Sequence, residues 1–332
     1  MKHSPTFYRK PIKIRILFAI AICFCISAFI CSLLIGSVQL DFSSLFDGVS
    51  KKIFLYVRLP RTLACMVAGA GLAVSGAMTQ AVLANRLASP SLIGVNAGAG
   101  LAVTVCTAFS ILGGWQISLF SFLGAFGAVM LITSGAQKWS ASRGTLILAG
   151  VALNSFLNAI SSAIVTLIPE AGVLSNDFKI GDFSAVTYGK ITPAAIITLA
   201  ALAFSFSLSN MLDVMTLGEE NAAGLGVNIK AARTLFLVLA ALLAGSAVSI
   251  AGLLSFVGLI VPHAVRRMGA TPCKYLLPLS ALFGAGFVTL CDLIARTAFS
   301  PYEIPVGIIM AFIGAPFFIV LLIKRKGGSY LD

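Results

Sequence analysis

Residues 275–296 read YLLPLSALFGAGFVTLCDLIAR, a stretch in which Asp292 and Arg296 are the only charged side chains. About 20 consecutive apolar residues are enough to cross a bilayer, so this stretch is long enough to span one. The rest of the chain is similar, because 59% of its 332 residues are hydrophobic and only 10% are charged. A soluble domain carries about 25% charged residues. The composition therefore predicts an integral membrane protein.

Apolar runs separated by turn or charge signals predict an all-α protein with about ten transmembrane helices, since backbone groups left unpaired in lipid are costly. These runs form one permease domain, 16–323, between a basic N-terminus, 1–15, and a tail, 324–332. We expect 252–265, which contains Gly252, Gly258 and Pro262, to be kinked or to cross only part of the membrane. The predicted spans are 16–36, 62–84, 92–111, 115–137, 144–168, 191–212, 231–250, 252–265, 275–296 and 304–323.

The basic residues predict the orientation of the spans. With the N-terminus inside the cell, basic residues on the cytoplasmic side outnumber those outside by more than two to one, which agrees with the positive-inside rule. An even number of spans then places both termini in the cytoplasm. The net charge of +12 does not predict nucleic-acid binding, because the basic residues are scattered between apolar runs.

The sequence contains no motif for bond-changing chemistry. It has no phosphate-binding G-x-x-x-x-G-K-[ST] loop, and its seven cysteines and two histidines form no C-x-x-C pair or zinc spacing. We therefore expect no catalytic residues, no cofactor and no metal site. Of the acidic residues, Asp292 alone lies well within a predicted span, so the membrane interior is nearly free of charge. Ion-coupled carriers usually need such charges, and their scarcity favours a pathway driven by an external energy source.

Two arginines stand at the outer start of the second span. Arg58 and Arg61 flank Pro60, which suits the beginning of a helix. Arginine is unfavourable there, because it opposes both the helix dipole and the positive-inside rule. Lipid phosphate or the carboxylates of a docked partner would offset that cost. Arg296 follows Asp292 by four residues, so it forms a local ion pair or presents its guanidinium outward.

A polar stripe marks the helix predicted over 144–168. Its members, Asn154, Asn158, Ser161 and Ser162, are spaced to share one helix face. Interhelical hydrogen bonding is one reading of this stripe. The wall of a passage for a bulky polar solute is the other.

The segment 213–230 is too polar to span a membrane. Ala222, Ala223 and Leu225 predict a short apolar face, and Gly218 and Gly226 allow sharp turns. A short cytoplasmic helix pair that docks on another protein fits this pattern, with an amphipathic surface helix as the alternative. Elsewhere, Gly94 and Gly98 form a G-x-x-x-G motif of the kind that lets helices approach closely.

Together these segments resemble the permease subunit of FecCD-type ATP-binding-cassette importers, which carry iron–siderophore complexes, haem or cobalamin. Two positions depart from the family pattern: Arg86 replaces a proline that usually follows the residue matching Asn85, and 176–184 lacks a common tryptophan. The resemblance runs from about residue 56 to 323 and rests on Arg58-Leu-Pro-Arg61, Gly69 to Ala77 with Gln80, Asn85 to Pro90, Leu92-Ile-Gly-Val95, Leu217-Gly218, Leu225-Gly226, Phe256 to His263, Arg266, Leu277-Pro278, Asp292, Arg296, Glu303 to Gly307 and Gly314-Ala-Pro316.

The resemblance implies a type II importer fold in the bacterial inner membrane. It implies a homo- or heterodimer of permeases, two cytoplasmic ATPase subunits and an extracytoplasmic solute-binding protein. It assigns docking of that protein to Arg58, Arg61 and Arg296, and coupling to the ATPase to Leu217, Gly218, Glu219, Glu220, Ala222, Leu225 and Gly226. It also assigns the pathway wall to the helix that carries Asn154, Asn158, Ser161 and Ser162, and an inner gate to Ser140, Ser142 and Arg143.

The predicted function is therefore that of a permease for a metal chelate, with iron–siderophore favoured over haem or cobalamin. A stand-alone secondary carrier or channel is the runner-up, and transport by the chain alone in ATP-free vesicles would favour it. A membrane scaffold is a third possibility, and it predicts that solute uptake is unchanged without the protein.

Overall fold

The computed structural model describes residues 14–36, 48–111, 113–138 and 142–326, and over these ranges the chain forms helices and no strands. The α-helices are α1 Ile14–Leu34, α2 Gly48–Ile53, α3 Leu59–Val82, α4 Val95–Ala108, α5 Gly114–Lys138, α6 Arg143–Leu167, α7 Glu170–Ile180, α8 Tyr188–Ser207, α9 Ser209–Thr216, α10 Glu219–Gly224, α11 Ile229–Ala251, α12 Val257–Arg267, α13 Cys273–Thr297 and α14 Val306–Lys326.

Seven helical segments among the described residues are long and apolar enough to cross a membrane. They are α1, the helical stretch Gly48–Val82, α5, α6, α8, α11 and α13. Two shorter apolar helices, Val95–Ala108 and Val306–Leu321, fall on two further predicted spans. The all-α membrane fold is thus confirmed, while the number of ten crossings stays a prediction.

The expected irregularity in 252–265 is present. Helix α11 ends at Ala251, Gly252 and Phe256 both have positive φ angles, and α12 begins only at Val257. The broken backbone is paired with the segment after α7: the Leu253 N–H donates to the Phe178 carbonyl at 2.9 Å, and the Asp182 N–H donates to the Ala251 carbonyl at 2.8 Å. A break within a membrane protein is tolerated where its polar groups are satisfied in this way.

Pro60 is the second residue of α3, as its sequence context predicts, but the N-terminus of that helix is not free. The helical stretch runs from Gly48 to Val82, and a π-helical turn, Phe54–Arg58, precedes Pro60. Proline has no N–H to donate and its ring clashes with the preceding turn. The wider π turn accommodates this, with the Leu59 N–H bonded to the Phe54 carbonyl. Arg58 and Arg61 therefore lie inside a continuous helical stretch, and not at a free N-terminus.

Helices α3, α11 and α13 form the core, and small residues set their spacing. A Cβ at Gly69 would lie 2.2 Å from the Gly284 carbonyl oxygen, so α3 and α13 touch backbone to backbone. Gly98 of α4 meets Gly124 of α5 in the same way, whereas Gly94 is required for its φ of 94° before α4. The close helix contact predicted from the G-x-x-x-G motif is thus made by Gly98.

A glutamine ties α3 to the short helix α12. The Gln80 side-chain amide donates to the Gly258 carbonyl at 3.0 Å, and the Arg266 guanidinium donates to the Gln80 side-chain oxygen. Helix α6 is much less enclosed than this core. In its most apolar 18-residue stretch 17% of the residues are buried, against 78% in that of Gly48–Val82. It presents a broad face to lipid or to another subunit.

Candidate functional site: two charged clusters and an exposed helix

A buried ion pair joins α3 to α13. The Arg61 Nε donates to both oxygens of Asp292, at 3.0 and 3.1 Å, and the Arg61 Nη2 lies 2.9 Å from Asp292 Oδ1. The Asp292 side chain is completely buried. Hydrogen bonds between ionised groups are stronger than those between neutral groups, because charge attraction adds to them.

Two further arginines bind the end of α1. The Arg296 Nη2 donates to the carbonyl and the hydroxyl of Ser32, both at 2.6 Å, while its Nε lies 3.5 Å from Asp292 Oδ2. The Arg58 Nη1 donates to the carbonyls of Leu33 and Leu34, at 2.9 and 2.7 Å. The last carbonyls of a helix lack intrahelical donors and carry partial negative charge, so arginine stabilises them.

A surface carboxylate completes this arginine cluster, which we define as Arg58, Arg61, Asp292, Arg296 and Glu303. Glu303 Oε2 lies 2.7 Å from the Arg61 Nη1, and its side chain is 34% exposed. Arg58, Arg61 and Arg296 are themselves only 3%, 5% and 3% exposed. The structure brings the three predicted docking arginines together, but their guanidinium groups bind partners within the chain. Their role in docking stays a prediction.

Spacing identified the weaker of the two ion pairs of Asp292. Its contact with Arg296, four residues away, is present at 3.5 Å, but Arg61 is the closer partner and lies 231 residues away. The sequence did not predict Glu303 as a partner of Arg61. Only its place in the Glu303-Ile-Pro-Val-Gly307 motif, which supports the family resemblance, could have indicated a role.

The predicted polar stripe of α6 is divided between two faces. The Asn154 side-chain amide donates to the Ser91 carbonyl at 2.9 Å, so for Asn154 the interhelical reading holds. Ser161 is buried, whereas Asn158 and Ser162 are exposed. The exposed stripe also includes two residues that the sequence analysis missed, Ser155 and Thr166.

A second charged cluster joins three elements near the start of α6. The Arg143 Nε lies 2.9 Å from Glu219 Oε1, and the Arg233 Nη2 donates to the same oxygen. We call Arg143, Glu219 and Arg233 the Glu219 clamp. Ser142 caps α6, its hydroxyl accepting the Thr145 N–H at 3.2 Å. Ser140, the third predicted gate residue, lies outside the described residues.

The predicted coupling segment, 213–230, includes the end of α9, all of α10 and the start of α11. Leu217 and Leu225, on either side of α10, are 59% and 65% exposed, and Glu219 and Glu220 are also exposed. Of the predicted apolar face of Ala222, Ala223 and Leu225, Ala223 and Leu225 are exposed, whereas Ala222 is fully buried and does not belong to it. Leu225 follows the last residue of α10, so it does not continue the helix face of Ala222.

The two charged clusters lie at opposite ends of the molecule. Asp213 lies in α9, six residues before Glu219. Its carboxylate accepts the Cys273 N–H at the start of α13 at 2.7 Å. Asp292 is 19 residues further along α13, which is about 28 Å at about 1.5 Å per residue. This separation is close to the thickness of a bilayer core.

The described residues contain no group of three or more histidine, cysteine or acidic side chains that could hold a metal ion. All seven cysteines are free, and five of them are buried as small apolar side chains.

Comparison with known proteins identifies the class. The chain matches the FecCD transport family over residues 22–324. It is 36% identical over 290 residues to the Fe(3+)-citrate import system permease protein YfmD of Bacillus subtilis, covering 87% of this chain and 86% of that protein. It is 35% identical over 282 residues to the vitamin B12 import system permease protein BtuC of Yersinia pestis, covering 84% of each chain.

A solved structure of a metal-chelate type ABC transporter in an inward-facing conformation has the same fold. Its TM-score is 0.86 with 32% sequence identity, over 93% of this chain and 99% of that one. The fold and these matches define a multi-pass membrane subunit of an ABC transporter, which is a transport subunit and not an enzyme. The chain belongs to the FecCD transport family.

Proposed function

We propose that this protein forms the translocation pathway of an importer for an iron(III) chelate, with iron–siderophore as the favoured cargo. The observation that carries the proposal is the 36% identity, over 87% of this chain, to a permease named for Fe(3+)-citrate import. Haem or cobalamin is the alternative cargo, because a vitamin B12 permease is nearly as similar at 35%.

The working assembly is a dimer of permeases in the bacterial inner membrane, homomeric or with a related chain, carrying two ATPase subunits and a solute-binding protein. Helix α6 supports this arrangement, since its exposed face combines large apolar side chains with Ser155, Asn158, Ser162 and Thr166. In the dimer, this polar stripe lines a wet passage. Uncharged amides and hydroxyls let a polar chelate pass without holding it.

The Glu219 end faces the cytoplasm, where both termini lie, and Leu217, Gly218, Glu219, Glu220, Ala222, Leu225 and Gly226 form the contact segment for the ATPase. The exposure of Leu217 and Leu225 supports this, because two large apolar side chains at the surface favour burial against a partner. Buried Ala222 seats the segment on the permease, and Ser140, Ser142 and Arg143 form the inner gate beside it.

The arginine cluster lies at the outer end and receives the solute-binding protein. Arg61 is the arginine nearest to the surface in this scheme, because its partner Glu303 is partly exposed. On docking, a carboxylate of the binding protein replaces Glu303 as the partner of Arg61. Arg58 and Arg296 hold the end of α1 in place beneath that contact.

This exchange is tested with Glu303→Gln, which releases Arg61 from one carboxylate and leaves Asp292 in place. We expect the solute-binding protein to bind more tightly to the variant in proteoliposomes. Glu170→Gln, which alters an exposed carboxylate at the start of α7, is the matched control and leaves binding unchanged. Unchanged or weaker binding to Glu303→Gln would remove Arg61 from the docking contact.

The cargo is tested by uptake into proteoliposomes that hold the complete transporter with its own binding protein. Ferric citrate, a ferric siderophore, haem and cobalamin are each offered at equal concentration, with and without ATP. The proposal predicts ATP-dependent uptake of an iron(III) chelate in preference to the other two compounds. Preferential uptake of haem or cobalamin would reassign the cargo within the same family.

A further inference from the structure

One carboxylate oxygen is shared by two arginines from different helices. Glu219 Oε1 binds Arg143, at the first residue of α6, and Arg233, in the second turn of α11. Glu219 is itself the first residue of α10. A single side chain thus connects the exposed coupling helix with the start of α6 and with the core helix α11.

A glycine with a positive φ angle stands on each side of helix α10. Gly218 before it and Gly226 after it have φ angles of 103° and 83°, and a Cβ at either position would meet no atom within 4 Å. Glycine populates such angles readily, so the chain can turn sharply at both positions. Between them lies a helix of only six residues.

Open space borders the start of α6. This helix is the least enclosed of the seven long apolar segments among the described residues. A cavity of about 170 Å³ lies beside its first turns, lined by Gln137 of α5, Leu146 of α6, Glu219, Arg233 and Leu237. The start of α6 is thus held on this side by the Glu219 contact and not by close packing.

From this geometry we infer that Glu219 is a positioning residue that transmits movement of α10, the proposed ATPase contact, to Arg143 and hence to the proposed inner gate. The inference rests on the proposed function. The Arg233 contact holds the carboxylate against the core, so a displacement of α10 pulls on Arg143 through a short ionic link. Without that link, α10 follows the ATPase while α6 does not.

An exposed carboxylate outside the proposed ATPase contact and gate provides the control. Glu170, at the start of α7, is exposed and makes no ion pair among the described residues. Glu219→Gln and Glu170→Gln each remove one surface charge, and only the first breaks the link. Arg143→Gln breaks the link from the other side, whereas Arg143→Lys retains the positive charge.

The test uses the complete transporter in proteoliposomes and the chelate that the wild-type complex imports. Three quantities are measured: recovery of the ATPase subunits with the permease, the melting temperature, and chelate imported per ATP hydrolysed. We expect Glu219→Gln and Arg143→Gln to lower import per ATP about fivefold or more, the size of a typical coupling energy. Assembly and melting temperature should be unchanged. Glu170→Gln should keep the wild-type ratio, and Arg143→Lys should recover part of the ratio that Arg143→Gln loses.

Two results overturn the inference while the proposed function stands. One is an import-per-ATP ratio for Glu219→Gln equal to that of Glu170→Gln. The other is loss of the ATPase subunits from Glu219→Gln alone, which would make Glu219 a docking contact and not a link. Failure of the wild-type complex to import any chelate with ATP would contradict the proposed function itself.

Discussion

The arginine cluster and the Glu219 clamp have the same chemistry in different surroundings. In each, a carboxylate lies between two arginines, but the Asp292 side chain is fully buried whereas the Glu219 side chain is 46% exposed. A buried charge that loses its partner is very costly, while an exposed ion pair contributes little to stability. The comparison indicates that the buried cluster fixes one end of the molecule and the exposed clamp leaves the other end adjustable.

Removing the buried carboxylate is expected to have the largest effect. Asp292→Asn removes the buried carboxylate that Arg61 and Arg296 share and leaves Arg61 with Glu303 and Arg296 with the Ser32 oxygens, so we expect a loss of about 3–5 kcal/mol of stability. Thermal unfolding in detergent measures this, with Glu220→Gln as the control for removal of an exposed carboxylate. Equal melting temperatures for the two variants would contradict the difference between the ends.

Glycine substitutions compare the packing of the core with that of the coupling segment. Gly69→Ala places a Cβ 2.2 Å from the Gly284 carbonyl, and overpacking of this kind costs about 1–3 kcal/mol. Gly224→Ala, where no atom lies within 4 Å of the new Cβ, should leave the melting temperature unchanged or raise it. The pair distinguishes a tightly packed core from an open segment, and a stable Gly69→Ala would argue against close α3–α13 contact.

The Ser32 hydroxyl, which binds Arg296, is expected to contribute less to stability than the Asp292 carboxylate. Ser32 accepts a hydrogen bond from Arg296 and shares another with Thr62 at 2.8 Å. Ser32→Ala should lower stability by about 1 kcal/mol, because the Ser32 carbonyl still accepts from Arg296. Ser27→Ala, an exposed serine on the same helix, is the control, and an equal effect of both changes would count against this anchor.

The clamp itself is expected to contribute least to stability. Glu219→Gln should change the unfolding free energy by less than about 1 kcal/mol, since water and salt screen a half-exposed pair. High salt should lower import per ATP in the wild type and leave its melting temperature nearly unchanged, because salt screens the exposed clamp and not the buried cluster. A large loss of stability in Glu219→Gln would show that this end is fixed as well.

Features that depend on local pattern could be predicted from the sequence. Uninterrupted apolar runs located the long helices, since only a helix satisfies its own backbone in lipid. The irregular 252–265 segment was also expected, because Gly252 and Pro262 do not suit a regular span. The motifs around Gly69, Gln80 and Gly258 indicated residues that the structure indeed brings together at the α3–α12 and α3–α13 contacts.

Features that depend on long-range contacts could not be predicted in the same way. The pairing of Arg61 with Asp292 joins residues 231 positions apart, which spacing along one helix cannot reveal. The two faces of the α6 stripe depend on the position of Ser91 beside Asn154. Pro60 lies in the first turn of α3 as predicted, but the π turn that joins α3 to the preceding helix has no simple sequence signature.

ATP dependence of uptake tests the central claim most directly. Three vesicle preparations are compared: the permease alone, the permease with its ATPase subunits but no ATP, and the permease with its ATPase subunits and ATP. Each is supplied with the loaded binding protein. The account predicts chelate accumulation only in the third preparation, since the chain has no motor of its own. Equal accumulation in vesicles that contain the permease alone would contradict it.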